Sequence, residues 1–275
     1  MSLKLGRFAG RAFVGSYVLV YLVFVLFPIL WLFVGSLKSR YESLLLPPRI
    51  IFEPTFEAYE KLISSGLINT FGNSFTIAVI NVITALVLGI PAAYALSRMR
   101  GKLRKNLSFW ILSIRMAPAF GMVVPIYVLM RQLGLLDTVT AVSIAHLTIN
   151  LPFAIWLLLT YFDDLPQDIE EAALIDGANN LQALWYVLLP VSRPMLVAVA
   201  LLVFIFSWNE FLFAFVLTSS DAQTVPALIA SLAGTMSFDW PLISAISVSA
   251  LLPAFIFVFV AQRWITQGLT MGAVK

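Results

Sequence analysis

Cysteine is absent from the chain and histidine occurs once, at His146. That excludes disulfides, thiolate metal sites, iron–sulfur clusters and cysteine nucleophiles, and a single histidine cannot supply a histidine metal cluster. Charge is also scarce: Asp, Glu, Lys and Arg make up 11% of the residues, against about 25% in an ordinary soluble domain. No Gly-x-x-x-x-Gly-Lys-Ser/Thr phosphate loop occurs, so the chain does not bind ATP by that device. His146 and Glu210 could be imagined as an acid–base pair, but neither His-Glu-x-x-His nor Gly-x-Ser-x-Gly surrounds them.

What is abundant is apolar: 61% of the 275 residues are hydrophobic and the mean hydropathy is +0.96. An integral membrane protein follows. A hydrocarbon core of about 30 Å needs about 20 helical residues, and six stretches qualify, at about 13–34, 75–97, 107–130, 139–161, 195–217 and 242–261. The fold class is therefore all-α, one polytopic transmembrane domain over 1–275. The run Ala12–Val34 is too long for a signal-peptide core and reads as a retained first span. The net charge of +3 implies no nucleic acid, because the cations flank spans. Lys4, Arg7 and Arg11, then Arg98, Arg100, Lys102, Arg104 and Lys105, place the amino terminus and the second-to-third connection on the cytoplasmic side. Six spans return the carboxy terminus to the same side.

The longest polar interruption between apolar spans is 163–194. Pro166 suits a first helical turn, and Asp168, Glu170 and Glu171 put negative charge near the positive end of that helix. Gly177 supplies a stop with positive φ. A second helix restarts at Asn179 or Asn180, with Leu181, Leu184, Trp185 and Leu188 on one face, until Pro190 and Pro194 break it. The stretch is an elbow of two helices at a membrane surface.

Glu171-Ala172-Ala173, three residues, Gly177, nine residues, then Val187-Leu188-Leu189-Pro190 resembles the EAA loop of bacterial ABC importer permeases, with Val187 in place of isoleucine. Ala92-Ala93-Tyr94-Ala95-Leu96-Ser97-Arg98, Gly134-Leu135-Leu136-Asp137-Thr138, Trp208-Asn209-Glu210 and the tail from Gly268 to Lys275 extend the resemblance to the carbohydrate and polyol branch, the MalG type, over essentially the whole chain. The resemblance implies a permease of a bacterial or archaeal plasma membrane. It implies as partners a sister permease of the MalF type, a dimer of ATPase subunits and an external solute-binding protein. No cofactor is expected in this chain, with ATP and Mg on the ATPase. It further implies ATPase coupling through Glu171, Ala172, Ala173, Asp176, Gly177, Leu189 and Pro190, and a second ATPase contact in the tail through Gln267, Gly268, Thr270 and Gly272. The substrate implied is a sugar, oligosaccharide or polyol. An ion-coupled secondary carrier acting alone is the alternative, since a few ionisable residues fall inside spans; it would have no use for the elbow.

Polar residues inside spans are the candidates for the translocation path or the permease interface. At about 1.5 Å per residue, Asn81 and His146 lie about 10 Å below the outer surface and Asn209 and Glu210 about 8 Å below it. Arg115 and Asn150 fall together about 12 Å from the cytoplasmic face. Two polar levels are expected, with Glu210 and Arg115 turned away from lipid.

Overall fold

The computed structural model of the chain describes residues 2–234 and 238–270, with side chains described from residue 14 to residue 257 within that range, and beyond it at 259 and 262. Every regular element among the described residues is a helix, with no strand among them. Backbone N–H and C=O groups in a hydrocarbon layer find no water, so each apolar stretch closes its hydrogen bonds within itself. The chain divides into two compact units, residues 1–68 with 231–252, and residues 69–230 with 253–275.

The first unit contains α1 (Ser2–Ser36), α2 (Arg40–Ser43), α3 (Glu57–Ser64) and the start of α14 (Trp240–Thr270). Along α1 the apolar side chains from Val14 to Phe27 are exposed. Its end is held: Ser36 Oγ lies 2.8 Å from the Tyr59 hydroxyl. Lys38, buried, donates to the Arg49 carbonyl at 2.7 Å. Lys61 of α3 pairs with Asp239 at 2.6 Å.

The second unit is built on α4 (Asn69–Arg98) and α7 (Val139–Asp164), which lie against each other, with α11 (Arg193–Trp208) packed on both and α5 (Gly101–Met116) on α7. Small residues allow the close approach. Ala78, Ala85, Gly89 and Ala93 recur along one side of α4, and a Cβ on Gly89 would already touch Ala154, Ile155 and Leu158 at 3.6–3.7 Å. The remaining elements are α6 (Ala119–Gln132), α8 (Asp168–Ile175), α9 (Asn180–Ala183), a π-helical turn (Leu184–Leu188), α10 (Leu189–Val191), α12 (Leu212–Leu217) and α13 (Val225–Ala233).

Among the described residues four helices are long and apolar enough to cross a membrane, Val14–Ser36, Asn69–Arg98, Val139–Asp164 and Trp240–Phe257, or up to six if each bent pair counts as one span. Two expected spans are not continuous helices. The third breaks at Ala117-Pro118, where α5 and α6 meet at 91°. Proline holds the preceding residue in extended backbone, as Ala117 shows with ψ of 132°. The fifth stops at Trp208, and after Asn209 and Glu210 the chain restarts as α12.

Candidate functional site

The elbow is held to the bundle by a carboxylate that the sequence reading had given only a helix-end role. Glu170, on α8, is buried. The Tyr94 hydroxyl donates to its Oε1 at 2.5 Å, and Arg98 Nε donates to its Oε2 at 2.6 Å. Tyr94 and Arg98 are one turn apart on α4, so a single helical face presents both donors. That i, i+4 pair of a hydroxyl and a cation, facing the elbow's acids, was the signal in the sequence. Arg104 makes a second bridge to Asp163 at the end of α7.

Local sequence shapes the elbow largely as expected. Gly177 ends α8 with φ of 91°, and Asn179 caps α9 in a reciprocal box with Gln182, each side chain accepting a backbone N–H at 2.9 Å. Pro166 stands just ahead of α8, where its carbonyl accepts from Ile169, and is not in the helix itself.

Two further expectations are corrected. Pro190 does not break the second helix. The turn Leu184–Leu188 widens to π geometry, with Leu189 N–H bonding the Leu184 carbonyl five residues back, so the ring enters where no tight turn precedes it. The helix instead bends by 80° at Ser192. The apolar residues of that helix also do not share one face. Ala183 is buried, and Leu184, Leu188 and Leu189 are buried in the core with Leu158 and Phe162, while Leu181 and Trp185 are exposed beside Tyr186.

Of the coupling candidates, Glu171, Ala172, Asp176, Gly177 and Pro190 are exposed, while Ala173 and Leu189 are buried and anchor the elbow. Leu174, Ile175, Leu181, Trp185 and Tyr186 join the exposed side, Ile175 at 85% and Tyr186 at 78%. A small polar cavity of about 240 Å³ opens between this surface and the end of α4, lined by Arg98, Arg100, Glu170 and Glu171. Gln267, Gly268 and Thr270 belong to the end of α14, and Gly272 lies outside the described residues.

The polar residues within the spans form two clusters whose members differ from those that depth alone selects. Asn81, fully buried, donates to the Ser143 carbonyl of α7 at 3.3 Å and accepts from Asn150 Nδ2 at 3.3 Å. Asn150 thus joins Asn81 and not Arg115. The guanidinium of Arg115 lies over the Phe153 ring, 3.9 Å from its centroid, with Phe206 at 5.2 Å. His146 meets the other cluster: its Nε2 is 2.8 Å from Glu210 Oε2 and its Nδ1 is 2.9 Å from Ser207 Oγ. Glu210 also accepts the backbone N–H groups of Phe213 and Ala214. One carboxylate therefore caps α12 and ties the α11–α12 break to α7. Asn209 is exposed and turns back to the Ile205 carbonyl of its own helix at 2.8 Å.

At the opposite end of this unit from the elbow, Asp137 has φ of 56° and gathers the loop after α12. Its carboxylate accepts the Ser219 hydroxyl at 2.7 Å and backbone N–H groups of Ser219, Ser220, Asp221 and Ala222. Burial on its own would raise the carboxyl pKa, but the hydrogen bonds from Ser219, Ala222 and Ser220 outweigh it and hold Asp137 well below the usual carboxylate range.

Residues 85–271 match the family of binding-protein-dependent transport system inner membrane components. The trehalose transport system permease protein SugB of Mycobacterium tuberculosis is 38% identical, covering 92% of this chain and 93% of its own. The trehalose/maltose transport system permease protein MalG of Thermococcus litoralis is 34% identical, with 92% of each chain covered. Among solved structures, a bacterial ABC transporter that imports the acidic polysaccharide alginate superposes with a TM-score of 0.75 at 28% identity, covering 92% of this chain and 96% of that one. A methionine ABC transporter at 18% identity and a TM-score of 0.63 shares the fold. A multi-pass helical chain with this likeness along nearly its whole length belongs to the binding-protein-dependent transport system inner membrane component family and is a permease subunit of an ATP-driven importer.

Proposed function

We propose that the chain forms, with a sister permease, the alternating-access path for a sugar, oligosaccharide or polyol, and that the 163–194 elbow couples it to a separate ATPase dimer. The single observation that carries the coupling assignment is the two-sided character of the elbow. One side is locked into the bundle through Glu170, Ala173, Leu184 and Leu188, while the other offers Glu171 among exposed Leu174, Ile175, Trp185 and Tyr186. A surface that apolar, outside the spans and fixed rigidly to them, is suited to a protein partner. ATP and Mg act on that partner.

Six spans with both termini cytoplasmic accord with the cation distribution, counting each bent pair, α5 with α6 and Asn180–Val191 with α11, as one span. The substrate class is carried over from the relatives, whose names specify trehalose and maltose. An external solute-binding protein would meet the surface near Asp137 and the loop after α12. The tail at 267–275 is the second proposed ATPase contact.

The test is Glu171→Lys, which reverses charge on the exposed side without touching the buried one. Transport and transport-linked ATP hydrolysis should fall at least tenfold while the subunit inserts at wild-type level. Wild-type transport by an assembled variant would make the elbow a passive connector.

A further inference from the structure

A second cavity, of about 590 Å³, lies between the start of α5 and the end of α7 and has two chemically different ends. At one end stand Arg100, Arg104 and Lys105 against a single carboxylate, Asp163, which Arg104 already engages. Arg100 and Lys105 have no carboxylate partner among the described residues. The same end holds the amino terminus of α5, which Arg100 leaves without a side-chain cap, so the first-turn N–H groups add to the positive potential there. Deeper in, the hydroxyl oxygen of Ser108 is enclosed and has no hydrogen-bond partner among the described residues. Beyond it the walls turn apolar, with Leu112, Leu159 and Trp156, the last 42% exposed.

A soluble anion would satisfy the cations but leave the apolar end uncovered. An acyl chain would cover the apolar end but leave two cations without a counter-ion. A molecule with an anionic phosphate at one end and hydrocarbon at the other satisfies both, and a membrane supplies it. Basic pockets between transmembrane helices bind such headgroups, and tryptophan sits at the level where headgroup meets chain.

We infer that this cavity is a binding site for an anionic phospholipid, its phosphate held by Arg100, Lys105 and the Ser108 hydroxyl and its acyl chain laid along Leu112 and Trp156. Only the leaflet, the cytoplasmic one, rests on the function proposed above. The cations here thus have a second task beyond fixing topology: they retain a lipid wedge beside the Arg104–Asp163 bridge, next to the elbow.

The experiment uses the whole importer complex in nanodiscs of phosphatidylcholine, without nucleotide. Brominated phosphatidylglycerol or brominated phosphatidylcholine is titrated in, and quenching of Trp156 is obtained as the difference from Trp156→Phe. Phosphatidylglycerol should reach half-quenching at about one-tenth the mole fraction that phosphatidylcholine needs. The double variant Arg100→Gln/Lys105→Gln should remove that preference. Ser108→Phe, which fills the cavity and leaves every charge in place, should remove it too and guards against an insertion defect in the charge variant. Equal quenching of the wild type by both lipids would overturn the site. Relief of phosphatidylglycerol quenching by millimolar inorganic phosphate would overturn the lipid assignment in favour of a soluble phosphate. Because the readout needs no turnover, a failed coupling assignment would leave this result intact, and the reverse also holds.

Discussion

Tyr94 and Glu170 are 76 residues apart in the chain and 2.5 Å apart in space, the tyrosine hydroxyl donating to the carboxylate that Arg98 also engages. A displacement of α8 would pass through this contact to the end of α4, which packs against α7. Removing Glu170 leaves a largely buried Arg98 without its counter-charge, a loss of about 3 kcal/mol for pairs of this kind. Glu170→Ala should lower the thermal stability of the complex and uncouple hydrolysis from transport, and Glu170→Gln, which keeps an acceptor for Tyr94, should be milder. If Glu170→Ala couples as well as the wild type, the link between α4 and the elbow is ornamental.

Gly177 carries φ of 91° and an added Cβ would meet nothing within 4 Å. The cost of substitution is then purely one of backbone conformation, about 1–2 kcal/mol for an L residue and less for asparagine. Coupling efficiency should fall in the order glycine, asparagine, alanine, valine. A transport assay across the four variants would contradict the backbone account if alanine outperformed asparagine.

The cysteine-free background makes thiol labelling clean. Asn81 and His146 are buried and Asn209 is exposed, so Asn209→Cys should react with a small water-soluble thiol reagent at least tenfold faster than Asn81→Cys or His146→Cys in the resting complex. Rates that change when ATP is supplied would mark these positions as lining the path; equal resting rates at all three would contradict the burial described.

Asp137 has a folded-state pKa below its unfolded value, which is about 3.9. The sign follows directly: its contribution to stability is fully present above the unfolded pKa and is lost as pH falls through the depressed folded value. Proteolysis of the loop after α12 should therefore be flat from neutral pH down to about pH 4 and accelerate only below that. Asp137→Asn should already be fast at pH 7, because a neutral amide accepts these N–H groups less strongly.

Much of the elbow was legible because its determinants are local: Gly177 for the turn, Asn179 for the cap, and acids at the start of α8. Pro190 misled, because proline rules assume an α-helical turn before the ring and the chain provides a wider one. The breaks at Pro118 and at Asn209-Glu210 stood in the sequence, but apolar length alone joined the pieces across them. Depth arithmetic put Asn81 and Asn150 on different levels and said nothing of direction around the helix, whereas Asn150 reaches Asn81 and Arg115 lies over Phe153. Glu170 was missed because a buried acid and an exposed one, adjacent in sequence, look alike until the α4 donors are in place.

The π turn at Leu184–Leu188 sets the angular phase of the elbow. It contains one residue more than an α turn, so everything before it is rotated relative to everything after it by roughly 100°, the angle one residue occupies in a 3.6-residue helix. Deleting a single residue from the turn would leave composition and hydrophobicity almost unchanged, yet would swing the segment carrying Gly177 and Glu171 around the axis of α10 by more than a quarter of a revolution.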